Sequence, residues 1–347
     1  MSSADPPFPD TVTSAPSTLQ AHGPRALLQA IPYLLGFHPA DSLVVVGIGA
    51  DTVRVTARLD LDDLAHQDSI RHTMDVLARG TSESVIAVVY DDAVVASGTP
   101  LPWAALLPQV LDAATAAGCV LMDMFLVSAG RWWSYACDGP QCCPDAGGWV
   151  ADPTTAFAAA ATVAGLSALP SRAALAAVLQ PHPVDERERL APMIAVAENA
   201  ATAATLEARA EAFERAATRA LFAAARRADE GGEPVRDAAA ARFGAALTIT
   251  AVRDSVWIAL DCDRLDGRPL WADLARRLPA PYDAAALFLY GWCCWRQGDG
   301  VSAHVAVERA LVSDPAYTAA DMLQVALARG MDPRAVARLR RSYGRRR

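Results

Sequence analysis

The chain has 347 residues, 53% of them hydrophobic, and a formal net charge of −8. That length supports two modest domains or one large one, and an acidic chain repels a phosphate backbone, which argues against general nucleic-acid binding. No apolar run reaches membrane-spanning length, because Asp112 and Asp123 interrupt the best stretch at 103–130.

Residues 1–23 read as a disordered lead-in. They are rich in Pro, Ser and Thr and lack the basic start and apolar core of an export signal. A cytoplasmic location is expected from this. The seven cysteines are then thiols, metal ligands or redox groups before they are structural disulfides.

Residues 24–35 predict a helix, with Pro24 in the first turn, Pro32 as a kink and Gly36 as the stop. The β-branched run 42–48 predicts a strand. After a turn at 49–51, residues 52–59 alternate apolar and polar, completing a hairpin. Helical periodicity follows over 62–79. Residues 84–90 (SVIAVVY) are apolar throughout, as in a central strand covered on both faces. A helix over 103–117 and a hairpin of 120–128 with 131–137, turning at Ala129-Gly130, complete an α/β domain over 24–150. It has a mixed sheet flanked by helices.

Beyond residue 150 the strand signals stop, and 151–343 read as an all-α region. Helices are expected at 154–164 and 171–179, then one long helical stretch at 185–228 broken or kinked near Pro192. Its stripe Leu206, Ala210, Phe213, Ala217, Leu221 and Ala224 has the spacing of one buried face, with Glu211 and Arg215 paired one turn apart outside it. DEGGEP at 229–234 reads as a linker. Helices continue at 235–247, 249–260, 268–278, 284–296, 301–313, 318–329 and 333–342. Residues 284–317 look like one tetratricopeptide-type helical hairpin, with Gly291, Ala303 and Ala310 as the small contact residues. A helical region of this kind suits a protein partner. All 31 basic residues are Arg, so a single Arg carries little information here. Six of them crowd into 338–347, a solvated helix end or a contact for an anionic partner, and 344–347 form a basic tail.

Two clusters bear chemistry. In the loop 36–42, His38 could act near neutral pH with Asp41 orienting it and Ser42 beside it, although turn formation accounts for the same residues. In 137–144, Cys137, Cys142 and Cys143 flank a Gly-Pro turn. They could bind a metal if His38, His304 or an acid supplied a fourth ligand, form a redox pair, or be partly buried thiols. The adjacent Cys293 and Cys294 read as packing in an apolar helix; Cys119 and Cys262 show no partner. No phosphate loop, nucleophile elbow or zinc-protease motif is present, and Gly47-Ile48-Gly49 lacks a dinucleotide fingerprint.

The stretches LLQAIPYLLGFHPADSLVVVGI (27–48), RWWSYACDGPQCCP (131–144) and LYGWCCWRQGDGVSAHVAVERALVSDPAY (289–317) resemble the domain-of-unknown-function 4192 family of actinobacterial proteins. The resemblance runs from about 24 to 330 and directs attention to 35–42 and to Cys137, Cys142, Cys143 and Pro144. It implies no activity and no cofactor. Two functions remain open: a binding or regulatory module with a helical interaction surface, or a metal- or thiol-dependent enzyme or redox protein using both clusters.

Overall fold

The computed structural model describes residues 23–65, 67–92, 95, 99–137, 139, 143–150, 161 and 168–333. The lead-in, the Arg-rich tail, Cys142 and nearly all of the helix expected at 154–164 lie outside them.

Among the described residues six strands form one sheet: β1 (Ser42–Gly49), β2 (Thr52–Asp60), β3 (Ser84–Tyr90), β4 (Val120–Ser128), β5 (Arg131–Ser134) and β6 (Gly148–Trp149). Their order is β2-β1-β3-β4-β5-β6. Only β3 and β4 are parallel, joined by a crossover through α3 (Leu106–Ala116). Both tight hairpins turn on paired positive φ angles, Ala50 and Asp51 in one, Ala129 and Gly130 in the other. This is the conformation that matches the twist of the flanking strands. The mixed sheet with flanking helices is therefore as expected. The two-residue β6 and the early end of β5 at Ser134 are not.

The pleat divides the sheet residues between two cores. Leu43, Val45, Val85, Ala87, Val89, Met124 and Leu126 pack with α2 (Gln67–Arg79) and α3. Val44, Val46, Ile86, Val88, Tyr90 and Phe125 pack with α1 (Gly23–Leu35), which Pro32 does not interrupt. This second cluster does not end at α1. It continues without a break through the helices that follow residue 168.

Those helices are α4 (Arg172–Ala177), α5 (Val184–Glu188), α6 (Ala191–Leu206), α7 (Ala210–Asp229), α8 (Asp237–Leu247), α9 (Thr250–Asp261), α10 (Arg268–Arg277), α11 (Ala284–Arg296), α12 (Gly300–Ser313) and α13 (Thr318–Ala328). The stretch expected as one helix at 185–228 is thus three. Pro192 begins α6 rather than kinking a longer helix, since a proline in the first turn has no hydrogen bond to lose. Ala208 adopts φ +56° and separates α6 from α7. The break resets the helical phase, so Leu206 is 83% exposed, whereas Leu221 and Ala224 of the predicted stripe are buried. The Glu211–Arg215 pair forms at 3.1 Å. The 62–79 segment splits into a short 3-10 turn (Leu61–Ala65) and α2, and the helix expected from 103 starts at Leu106.

α11 is apolar on all sides, as a central helix must be. Every residue but Tyr290 and Arg296 is buried, among α8, α9, α10, α12 and α13. α11 and α12 form a close hairpin: a Cβ on Gly291 would lie 3.3 Å from both the Ala303 carbonyl and the Ala306 Cβ. Trp257, Phe288, Trp292, Trp295 and Tyr317 interlock around it at ring separations of 4.9–6.1 Å.

Cys293 and Cys294 sit inside this packing, and Cys119 inside the α3–β4 core. Burial pushes all three thiols up, Cys294 to about 12. A thiol at that value is ionised to a fraction on the order of 10⁻⁴ at pH 8. Iodoacetamide at pH 8 is expected to leave these three cysteines unmodified in the native protein and to modify them after denaturation, as read by peptide mass mapping. Native labelling of Cys293 or Cys294 would contradict the packing.

Candidate functional site

Gly36, at φ +78°, ends α1 and turns the chain toward β1. The loop is fastened at both ends. Phe37 is buried and bridges Leu169: the Leu169 N–H donates to the Gly36 carbonyl at 2.8 Å, and the His38 N–H to the Leu169 carbonyl at 2.9 Å. Leu61 N–H donates to the Asp41 carbonyl at 3.1 Å, and Arg58 Nη2 to the Ala40 carbonyl at 3.1 Å.

The three predicted residues divide by environment. His38 and Asp41 are exposed, and Ser42 is fully buried at the start of β1. No hydrogen bond or ion pair joins the side chains of His38 and Asp41 among the described residues. Asp41 serves the loop through its backbone, at φ +45°, a conformation Asp tolerates better than most residues.

Strand register supplies neighbours that local sequence does not. Ser42 stands between Asp60 of β2 and Tyr90 of β3, and Val127 continues the row on β4. Arg58, two positions from Asp60 on the same face, reaches back to it at 2.7 Å and lies 6.0 Å from the Phe37 ring centroid. The Arg58 hydrogen bond is the main cause holding the Asp60 carboxyl below its usual range. The charges of Arg58 and Arg172 help, against the effect of burial. Among the described residues, three buried polar atoms on this face have no hydrogen-bond partner: Ser42 Oγ, Arg58 Nε and Tyr90 Oη. Burial alone pushes the Tyr90 phenol up. Such atoms are uncommon in a folded interior, where an unsatisfied hydroxyl costs about 1–3 kcal/mol.

The cysteine loop lies elsewhere. β5 runs antiparallel to β4, and Tyr135 N–H donates to the Met124 carbonyl at 2.9 Å, so the chain leaves the sheet toward the β4 N-terminus. Tyr135, the last residue bonded to β4, is three strand positions along from the Ser42–Tyr90 row and three strands across from Ser42, on the order of 17 Å away at ~3.3 Å per residue and ~4.8 Å per strand, and Cys137 lies beyond it. His38 and Cys137 therefore do not share a site. The loop is shaped by residues to which the sequence assigned no role. Arg131 Nη1 donates to the Ala146 and Gly147 carbonyls, and Trp133 Nε1 to the Asp145 carbonyl. Arg131 also stacks 3.9 Å from the Trp149 ring centroid. Gly147 and Gly148 lie flush on Trp133 and Trp132, where a Cβ would come within 2.5 and 2.6 Å of the rings. Among the described residues no three His, Cys, Asp or Glu side chains converge as metal ligands. His304 is engaged with Glu308 at 3.0 Å within α12.

Tyr90→Phe removes a hydroxyl that has no partner. It is expected to leave stability unchanged or raise it by about 1 kcal/mol in chemical denaturation. A loss of more than about 1 kcal/mol would mean that the hydroxyl is bonded.

Residues 24–334 match the family described as a domain of unknown function, DUF4192. No curated protein matches the chain, and no solved structure does. Because the match takes in the sheet, both candidate loops and the helices through α13, this chain belongs to the DUF4192 family.

Proposed function

We propose that the protein is a cytoplasmic binding module that recruits a protein partner through α6, with the tetratricopeptide-like α11–α12 pair as the scaffold behind that surface. One observation carries this reading. α6 (APMIAVAENAATAATL) has Glu198 as its only charged residue, yet only Ile194, Ala197 and Ala204 are buried. Beside that buried stripe runs a second one, Met193, Val196, Ala200 and Ala203, at three- and four-residue spacing and exposed to solvent. Met193 is 40% and Val196 69% exposed. The hydroxyls of Thr202 and Thr205 bond back to the Glu198 and Ala201 carbonyls, so they offer little to a polar partner.

An uncharged stripe containing two alanines fits an apolar helix of a partner, which can approach closely over the small residues. Catalysis finds less support. Among the described residues Ser42 Oγ has no hydrogen-bond partner, and none of them is placed as a base to activate it as a nucleophile.

Val196→Glu tests the reading. The variant is expected to keep its stability within about 0.5 kcal/mol, as exposed substitutions do. Sedimentation of the purified wild type should show a monomer. Affinity capture from the source organism should retain a species that is lost with Val196→Glu and kept with Leu111→Glu, a control at an exposed apolar residue of α3. Retention by Val196→Glu would overturn the proposal. So would self-association abolished by that substitution, since the stripe would then be covered by a second copy.

A further inference from the structure

α7 and α9 are neighbours, and both bury residues in the shared core, Leu221 and Ala224 from one, Val252 and Val256 from the other. Toward solvent the two helices leave an open groove of about 360 Å³ between them, within the size range of small-ligand sites. α9 lines it with Ala251 and Ser255, small residues one turn apart that do not fill the space. α7 lines it with Glu214, Arg215, Thr218 and Arg219.

Two of the polar groups in this lining are already occupied. The Ser255 hydroxyl donates to the Ala251 carbonyl at 2.7 Å, and Arg215 donates to Glu211, outside the groove, at 3.1 Å. The other three are not. Thr73, Thr115, Thr202 and Thr205 all bond back to the carbonyl four residues earlier, the usual resting place of a helical hydroxyl. Thr218, in the middle of α7, makes no such bond, and neither Glu214 nor Arg219 makes a side-chain hydrogen bond or ion pair among the described residues. Glu214 and Thr218 are half-buried, and Arg219 is exposed. The same groove therefore carries one unpaired anion, one unpaired cation and a free hydroxyl. Glu214 and Arg219 stand five residues apart, a rise of about 7.5 Å, beyond the three- and four-residue spacing at which helical side chains pair.

We propose that this groove binds a free α-amino acid with an apolar side chain. Its carboxylate lies against the Arg219 guanidinium and the Thr218 hydroxyl, and its ammonium against the Glu214 carboxylate. Its side chain rests on Ala251 and on the methylenes of Arg215. The two charged groups of such a ligand are separated by two bonds of about 1.5 Å. With a hydrogen bond of about 2.8 Å at each end, the ligand spans an offset of the size that separates Glu214 from Arg219. A simple anion would satisfy Arg219 and be repelled by Glu214, and a simple cation the reverse; a zwitterion satisfies both. The site is separate from the exposed stripe of α6 and does not depend on it.

Calorimetric titration of the full-length protein with L-leucine tests the proposal. Parallel titrations use L-leucinamide, which lacks the carboxylate, and 4-methylpentanoate, which lacks the ammonium. Leucine is expected to bind at one site per chain, and each analogue at least tenfold more weakly. Arg219→Gln and Glu214→Gln should each weaken leucine at least tenfold with the melting temperature unchanged. Arg226→Gln, at an exposed position further along α7, should leave binding as in the wild type. Amide chemical-shift changes on adding leucine should centre on 214–219 and 251–255. No saturable binding of leucine up to about 10 mM would overturn the proposal. So would affinity unaltered in both α7 variants or shift changes centred elsewhere, either of which puts the ligand outside the groove. An analogue that binds as tightly as leucine would also overturn it, since the groove would then read one charge only.

Discussion

One face of the sheet is buried against an apolar layer that the N-terminal half cannot supply alone. α1 covers part of Val44, Val46, Ile86, Val88 and Phe125, and the same buried cluster runs on through Leu175, Leu179 and the helices to Ala326. The backbone is tied across this junction where Leu169 accepts from the His38 N–H and donates to the Gly36 carbonyl, on either side of Phe37. The chain's far end returns to the opposite layer: His72 Nε2 lies 3.0 Å from the Ala328 carbonyl, and Gly330 is pressed on Val76. Each half is thereby a wall of the other's core. At about 25 cal/mol per Å² of apolar surface removed from water, a boundary of this kind outweighs any single polar contact on it.

That constraint explains where chemistry can sit. The 36–42 loop crosses the junction, so its Phe37 and Ser42 are used for burial, while His38 and Asp41 are turned out to solvent. Polar atoms that the junction traps without partners, Ser42 Oγ, Arg58 Nε and Tyr90 Oη, lie on the face that the helices cover. Surface chemistry is distributed differently. α6, with Glu198 as its one charged residue, lies on the outside, while α11, which carries Phe288, Tyr290, Trp292 and Trp295, is enclosed on every side.

Much of the fold was legible because burial imposes a period. The alternation in 52–59, the unbroken apolar run of 84–90 and the Ala129-Gly130 turn each have one simple structural reading. The α6–α7 break was not legible. It rests on Ala208 in a left-handed conformation, and alanine is a strong helix former that advertises no turn. Leu206 was misplaced for that reason. The site residues were legible only where they were neighbours in sequence. His38, Asp41 and Ser42 stood out as a loop, but Arg58 and Tyr90 come beside Ser42 through strand register.

Native-state hydrogen exchange under increasing denaturant tests the shared core most directly, because it reads the opening free energy of each element separately. The amides of Val44, Val46 and Val88 in the sheet and those of Phe288 and Trp292 in α11 should converge on one common opening free energy. Exchange of the sheet amides through a lower-energy opening while α11 stays protected, or the reverse, would show two independent cores and contradict the account.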